Sequence, residues 1–124
     1  MRAMYLNDAF VVRYGTAVEG MQDRLAEHQD ESILSFLIAL NEGGGSQFVG
    51  GGTRYPGLGG QIIQTARGHI TMQAGHVYHS GMPIAAGTRY IIVGFVFVMG
   101  HKTGDEEAIR AFLQDRMRNG SAGG

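Results

Sequence analysis

His28 and Asp30 stand two residues apart in the stretch His28-Gln29-Asp30. On an extended segment residues i and i+2 project from one face, so an imidazole and a carboxylate there can converge on a single metal ion. The same pair also suits a polar loop end in which Asp30 caps a turn. A third ligand must come from elsewhere, and His79, at the end of an expected strand in His79-Ser-Gly-Met-Pro83, is the best placed. Ten residues on, Arg89 opens the run Arg-Tyr-Ile-Ile-Val. Apolar neighbours make an unpaired guanidinium costly to bury. Arg89 therefore calls for an anionic partner, an internal Asp or Glu or an external acid, unless it lies along the surface. Two neutral imidazoles and one carboxylate would form a 2-His-1-carboxylate face that leaves positions open on Fe(II). A neighbouring Arg would grip a dicarboxylate through a charge-assisted fork.

The other histidines offer less. His76 lies three residues from His79 and reads as a loop residue; His69 opens a strand with nothing to support a role. His101 precedes the C-terminal tail and reads as solvated. The triplets Gly43–Gly45 and Gly50–Gly52 lack the Lys-Ser/Thr pair and the helix that a phosphate loop requires, so they read as turn and bulge glycines.

The elements that must position these groups are short strands. Residues 9–14 read as a strand, and Gly15 to Asp23 as a loop with weak helical character extending through Glu27. Ser32 to Leu40 is nearly continuous apolar sequence, suited to a strand buried on both faces. Phe48–Tyr55, Gln61–Thr65, His69–Gln73 and Val77–Tyr78 follow between glycines, and Thr88–Met99 is the last strand. Many short strands with Gly-rich turns point to an all-β sandwich or barrel. The tail differs. Thr103-Gly-Asp-Glu106 fits a capping box, and Ile109, Phe112, Leu113 and Met117 recur at helical spacing, so an amphipathic helix is expected over 104–118.

Composition narrows the classes. The chain has 124 residues, a net charge of −1, 21 Gly and no Cys. Glycine is far above its usual share of about 7%, yet at 44% hydrophobic residues the chain is no disordered tract. Without Cys, disulfides, thiol catalysis and iron–sulfur clusters are excluded. The balanced charge argues against a nucleic-acid-binding face. The longest apolar run, Ile91–Met99, is too short to span a bilayer. No signal peptide is evident, so a cytoplasmic location is the default expectation.

Three segments in order, His28-Gln-Asp-Glu-Ser-Ile-Leu-Ser-Phe-Leu-Ile-Ala-Leu-Asn41, Phe48-Val-Gly-Gly-Gly-Thr53 and His79-Ser-Gly-Met-Pro-Ile-Ala-Ala-Gly-Thr-Arg-Tyr90, resemble the Fe(II)/2-oxoglutarate dioxygenases, nearest the prolyl and lysyl hydroxylase branch. The resemblance covers roughly residues 9–98. It implies an all-β core, a double-stranded β-helix or jelly roll, with the C-terminal amphipathic helix appended. It implies His28, Asp30 and His79 as iron ligands and catalytic centre, Arg89 as the clamp on the distal carboxylate of 2-oxoglutarate, and Tyr14 as a hydrogen-bond donor to the same carboxylate. Arg89 matches the lysyl hydroxylases and oxygen-sensing prolyl hydroxylases, since collagen-type prolyl 4-hydroxylases carry Lys there.

The implied reaction hydroxylates a prolyl or lysyl residue of a peptide, consuming O2 and 2-oxoglutarate and yielding succinate and CO2, with ascorbate as the expected reductant. The alternatives are the same chemistry on a free amino acid or small molecule, and a cupin-like module that binds without turnover. One domain over 1–124 is expected. Relatives carry more structure ahead of the first core strand, so N-terminal truncation, and with it an inactive fragment, is also an expectation. Neither a nucleic-acid nor a membrane partner is implied.

Overall fold

The computed structural model describes residues 3–99 and, beyond them, Gln114. Apart from Gln114, the expected helix over 104–118 lies outside the described residues, as does His101. The rest is all-β: β1 (Met4–Gly15), β2 (Leu25–His28), β3 (Leu34–Ala39), β4 (Phe48–Gly50), β5 (Thr53–Tyr55), β6 (Gln61–Ile63), β7 (Ile70–Ala74), β8 (His79–Gly81) and β9 (Ile84–Val98). One sheet has the order β1-β9-β3-β7, with β4 added to the start of β9; the other has the order β2-β8-β5-β6. All pairings are antiparallel, as a jelly-roll core requires.

The order follows from one long strand. β9 is rich in β-branched and aromatic residues, which favour the pleated backbone. Its first residues pair with β4, Phe48 opposite Gly87, and the remainder pairs with β1 on one side and β3 on the other. Side chains alternate across the sheet, so Arg89, Ile91, Val93 and Phe95 share one face. Tyr14 and Val12 of β1, Leu37 and Ser35 of β3, and Thr71 and Gln73 of β7 line the same cavity as these four. Two small buried clusters hold the ends: Tyr14, Phe48, Ile84 and Ile91 form one, Ile33 and Val98 the other.

Several sequence expectations are corrected. Weak helical character through Glu27 gives way to strand β2, because Leu25 and His28 pair with β8. The expected strand Phe48–Tyr55 is two strands, since Gly50, Gly51 and Gly52 all adopt positive φ (84°, 75° and 90°) and turn the chain between sheets. Val77–Tyr78 is bend and coil, and the strand there is β8, which starts at His79 rather than ending at it. β1 begins at Met4 rather than residue 9, and β9 at Ile84 rather than Thr88, each lengthened by its partner. β3 is buried at Ser35 and Ala39 but only half-buried elsewhere, so its outer face is not sealed. His76 lies in a turn, as expected of a loop residue, whereas His69, expected to open a strand, is exposed and just precedes β7.

Candidate metal and carboxylate site

The two histidines meet because their strands do. His28 closes β2, His79 opens β8, and the two are cross-strand partners. Their rings lie 4.3 Å apart between centroids. Asp30 arrives from the turn after β2, where its N–H donates to the carbonyl of Gly75 (2.8 Å). Its side chain is 8% exposed and faces both rings, Oδ1 3.3 Å from His28 Nε2 and Oδ2 3.6 Å from His79 Nε2. One ligand atom from each of the three residues lies within 4.8 Å of the others.

The donor set suits a divalent metal. His28 Nδ1 lies 2.8 Å from the carbonyl of Ala26, and His79 Nδ1 lies 2.8 Å from that of Val77. Either ring, when it donates Nδ1–H to its carbonyl, would present its Nε2 lone pair, the form a metal takes. Two Nε2 atoms and a carboxylate on one side of an ion form the facial arrangement that leaves its other side open.

The turn from β7 to β8 places two of these groups at once. It carries His79, and its Gly75 carbonyl accepts from Asp30 while the Gly75 N–H donates to Ile33 (3.0 Å). Gln29 locks the same turn from the other side, its Nε2 donating to the carbonyl of His76 (2.8 Å). A Cβ at position 75 would overlap the carbonyl oxygen of Ser32. Gly75→Ala is accordingly expected to cost about 2–3 kcal/mol, as overpacking against backbone does. A lowered urea midpoint with weakened metal binding is the expected result; an unchanged midpoint would show the turn to be adaptable.

Arg89 lies within the same cavity of about 120 Å³, which Tyr14, His28, Asp30, Thr53 and His79 also line. The side chain is 3% exposed, and no ion pair to it occurs among the described residues. Its Nη1 stands 3.5 Å from the carbonyl of Gly52, a long contact. Gly51 makes room for it, since a Cβ there would lie 3.4 Å from Arg89 Cδ and 2.8 Å from Ile84 Cδ1. Tyr14 is the direct cross-strand partner of Arg89. Burial pushes the Tyr14 hydroxyl above its usual pKa, against a smaller opposing pull from Arg89, so it remains a neutral donor. Burial likewise lowers the Arg89 pKa, with Tyr14 and Tyr55 partly opposing, although a guanidinium stays charged at neutral pH. Of the alternatives weighed from the sequence, Arg89 does not lie along the surface, no acid stands within ion-pair distance of it among the described residues, and the cavity leaves room for an external one.

Sequence reasoning missed three contributors. Gln73 and Tyr55 form a chain to His79, with Tyr55 Oη donating to Gln73 Oε1 and Gln73 Nε2 lying 2.8 Å from His79 Nδ1. Gly75 is the third. For Gln73 a signal existed: β7 turns Thr71 and Gln73 toward the cavity and leaves Ile70 and Met72 more than half exposed (52% and 56%), the reverse of ordinary patterning.

Two antiparallel sheets surround a cavity that holds a His/Asp/His cluster and a buried Arg with no ion pair among the described residues. This all-β arrangement fits a jelly-roll oxygenase core, and comparison with known proteins gives the family. The chain belongs to the 2OG-Fe(II) oxygenase superfamily, whose family model matches residues 6–98. It is 38% identical over 95 residues to the procollagen lysyl hydroxylase and glycosyltransferase of Acanthamoeba polyphaga mimivirus, covering 73% of this chain and 10% of that protein. It is 40% identical over 90 residues to procollagen-lysine,2-oxoglutarate 5-dioxygenase 1 of Homo sapiens (71% and 12%) and 34% identical over 89 residues to the Drosophila melanogaster procollagen-lysine,2-oxoglutarate 5-dioxygenase (70% and 12%). The chain thus spans about a tenth of the length of the curated relatives it matches.

Proposed function

We propose that this chain is the catalytic core of an Fe(II)- and 2-oxoglutarate-dependent dioxygenase that hydroxylates a prolyl or lysyl residue of a peptide. One observation carries the reading: the ligand cluster of His28, Asp30 and His79 shares a cavity with a buried Arg89 that lacks an acidic partner among the described residues. A double-stranded β-helix is the fold detail this reading assigns to the two sheets.

His28 and His79 would hold iron through Nε2, and the Asp30 carboxylate would supply charge that offsets the dication. Bound iron supplies the redox chemistry that couples 2-oxoglutarate and O2 to hydroxylation, with succinate and CO2 as co-products. Arg89 holds the distal carboxylate of 2-oxoglutarate by its fork, and Tyr14 donates to the same group from the neighbouring strand. The apolar walls, Val12, Leu37, Ile91 and Val93 among them, exclude bulk water and so strengthen that ion pair. Ascorbate serves as external reductant. That related proteins are named procollagen-lysine dioxygenases supports a peptidyl lysine as the first substrate to try.

The test supplies Fe(II), ascorbate, 2-oxoglutarate and O2 to the purified chain and measures succinate with lysyl and prolyl peptides. Peptide-stimulated succinate with a matching mass increase of one oxygen is expected. Folded, iron-loaded protein that releases none would sink the enzyme reading and favour a cupin-like binder; stimulation by free amino acids alone would move the substrate to a small molecule.

A further inference from the structure

His79 Nδ1 has two neighbours that make opposite demands. The carbonyl of Val77, 2.8 Å away, can only accept, and so requires a proton on Nδ1. The amide Nε2 of Gln73, also 2.8 Å away, can only donate, and so requires Nδ1 to be bare. A neutral imidazole carries one proton, so satisfying Gln73 sends it to Nε2, where it faces Asp30 Oδ2 at 3.6 Å. In that tautomer Nε2 has no lone pair for a metal.

Gln73 is not free to turn its oxygen toward the ring. Its Oε1 accepts the hydroxyl proton of Tyr55, a residue only 5% exposed. Turning the amide would oblige Tyr55 to accept instead and would strand its proton in a buried place. Tyr55 is further fixed as a neutral donor, because burial first and the Asp30 charge second raise its pKa.

We propose that the Tyr55–Gln73 pair acts as a brake on metal uptake, holding His79 in its Nε2–H tautomer until metal binding releases that proton to water and Nδ1 takes one from water, which it then donates in a hydrogen bond to the Val77 carbonyl. The inference rests on the reading of His79 as a metal ligand. Gln73 and Tyr55 are positioning residues here, acting through the ring they face. Their removal should help metal binding, whereas loss of a merely structural contact should harm it.

The experiment uses the full chain with 15N-labelled histidine, and Zn(II) as a diamagnetic probe. Long-range 1H–15N spectra identify the protonated ring nitrogen, and calorimetry gives the Zn(II) affinity. The metal-free wild-type protein should show His79 protonated at Nε2, changing to Nδ1 on adding Zn(II). Gln73→Leu leaves Val77 as the sole partner of Nδ1, and Tyr55→Phe frees the amide to turn. Each should show Nδ1–H before metal is added and bind Zn(II) about 5-fold more tightly, the equivalent of one net hydrogen bond. Wild-type protein already in the Nδ1–H form, or weaker Zn(II) binding in both variants, would overturn the brake. A His79 ring that does not respond to Zn(II) in the wild type would overturn the ligand assignment itself, a separate failure.

Discussion

Asp30→Ala should lower divalent-metal affinity by more than about 100-fold while leaving the metal-free fold close to its original stability. The first half follows from position. The carboxylate bridges the two Nε2 atoms at 3.3 and 3.6 Å and is the only anionic side chain lining the cavity among the described residues. Altering a group that merely orients a ligand costs 10–100-fold in metal affinity, so losing a ligand outright must cost more. The second half follows from the backbone: the bond from Asp30 N–H to Gly75 holds the turn, and alanine keeps it. Thermal unfolding with and without Mn(II) separates the two. Ligand at 100 times its Kd stabilises a fold by about 2.7 kcal/mol, and that increment should vanish in the variant. Gln29→Ala is the comparison; it gives up one bond to the His76 carbonyl and should keep most of the metal-induced stabilisation. Equal losses in both would mean that His28-Gln29-Asp30 is a structural loop.

Arg89→Met should make the ligand-free protein more stable and 2-oxoglutarate binding much weaker, two changes of opposite sign from one substitution. A guanidinium 3% exposed, without an acid beside it, carries a desolvation cost that only a bound anion offsets. Replacing buried charge with an apolar chain of similar volume is neutral or stabilising by about 1–4 kcal/mol. Removing one member of a buried charge pair costs about 2–5 kcal/mol of binding, or roughly 30- to 5,000-fold in Kd. Differential scanning calorimetry with and without 2-oxoglutarate reads both. The clamp assignment fails if the variant retains the wild-type thermal shift on adding 2-oxoglutarate.

The site was legible in the sequence to the extent that its chemistry sits on short local patterns. The spacing of His28 and Asp30 suggested one shared side, and the two do converge, although Asp30 lies beyond β2 and is held by its bond to Gly75; the apolar setting of Arg89 announced a buried cation. What stayed hidden is what long-range pairing decides. β2 is four residues, Leu-Ala-Glu-His, with no β-branched side chain, and β8 is His-Ser-Gly. Neither has local propensity for a strand; each is extended because it pairs with the other, and β8 also with β5. Gln73 was hidden for a related reason. The apolar residues of β7 suggest a core face, yet it is Thr71 and Gln73 that line the cavity, and only the three-dimensional arrangement shows which side is inward.

The partnership of β1 with β9 has a consequence for how the chain is made. Gly15 pairs with Thr88 and Met4 with Val98, so β1 must wait about 70 residues or more for the one strand it pairs with among the described residues. At ribosomal rates of about 5–20 residues per second that delay is on the order of 4–20 s. Throughout it, Tyr5, Leu6, Phe10 and Val11 have no strand to lie against. Closing so large a loop is entropically slow as well. Strand β1 therefore stays uncovered on the ribosome until β9 follows it, and the arrival of β9 decides when that exposure ends.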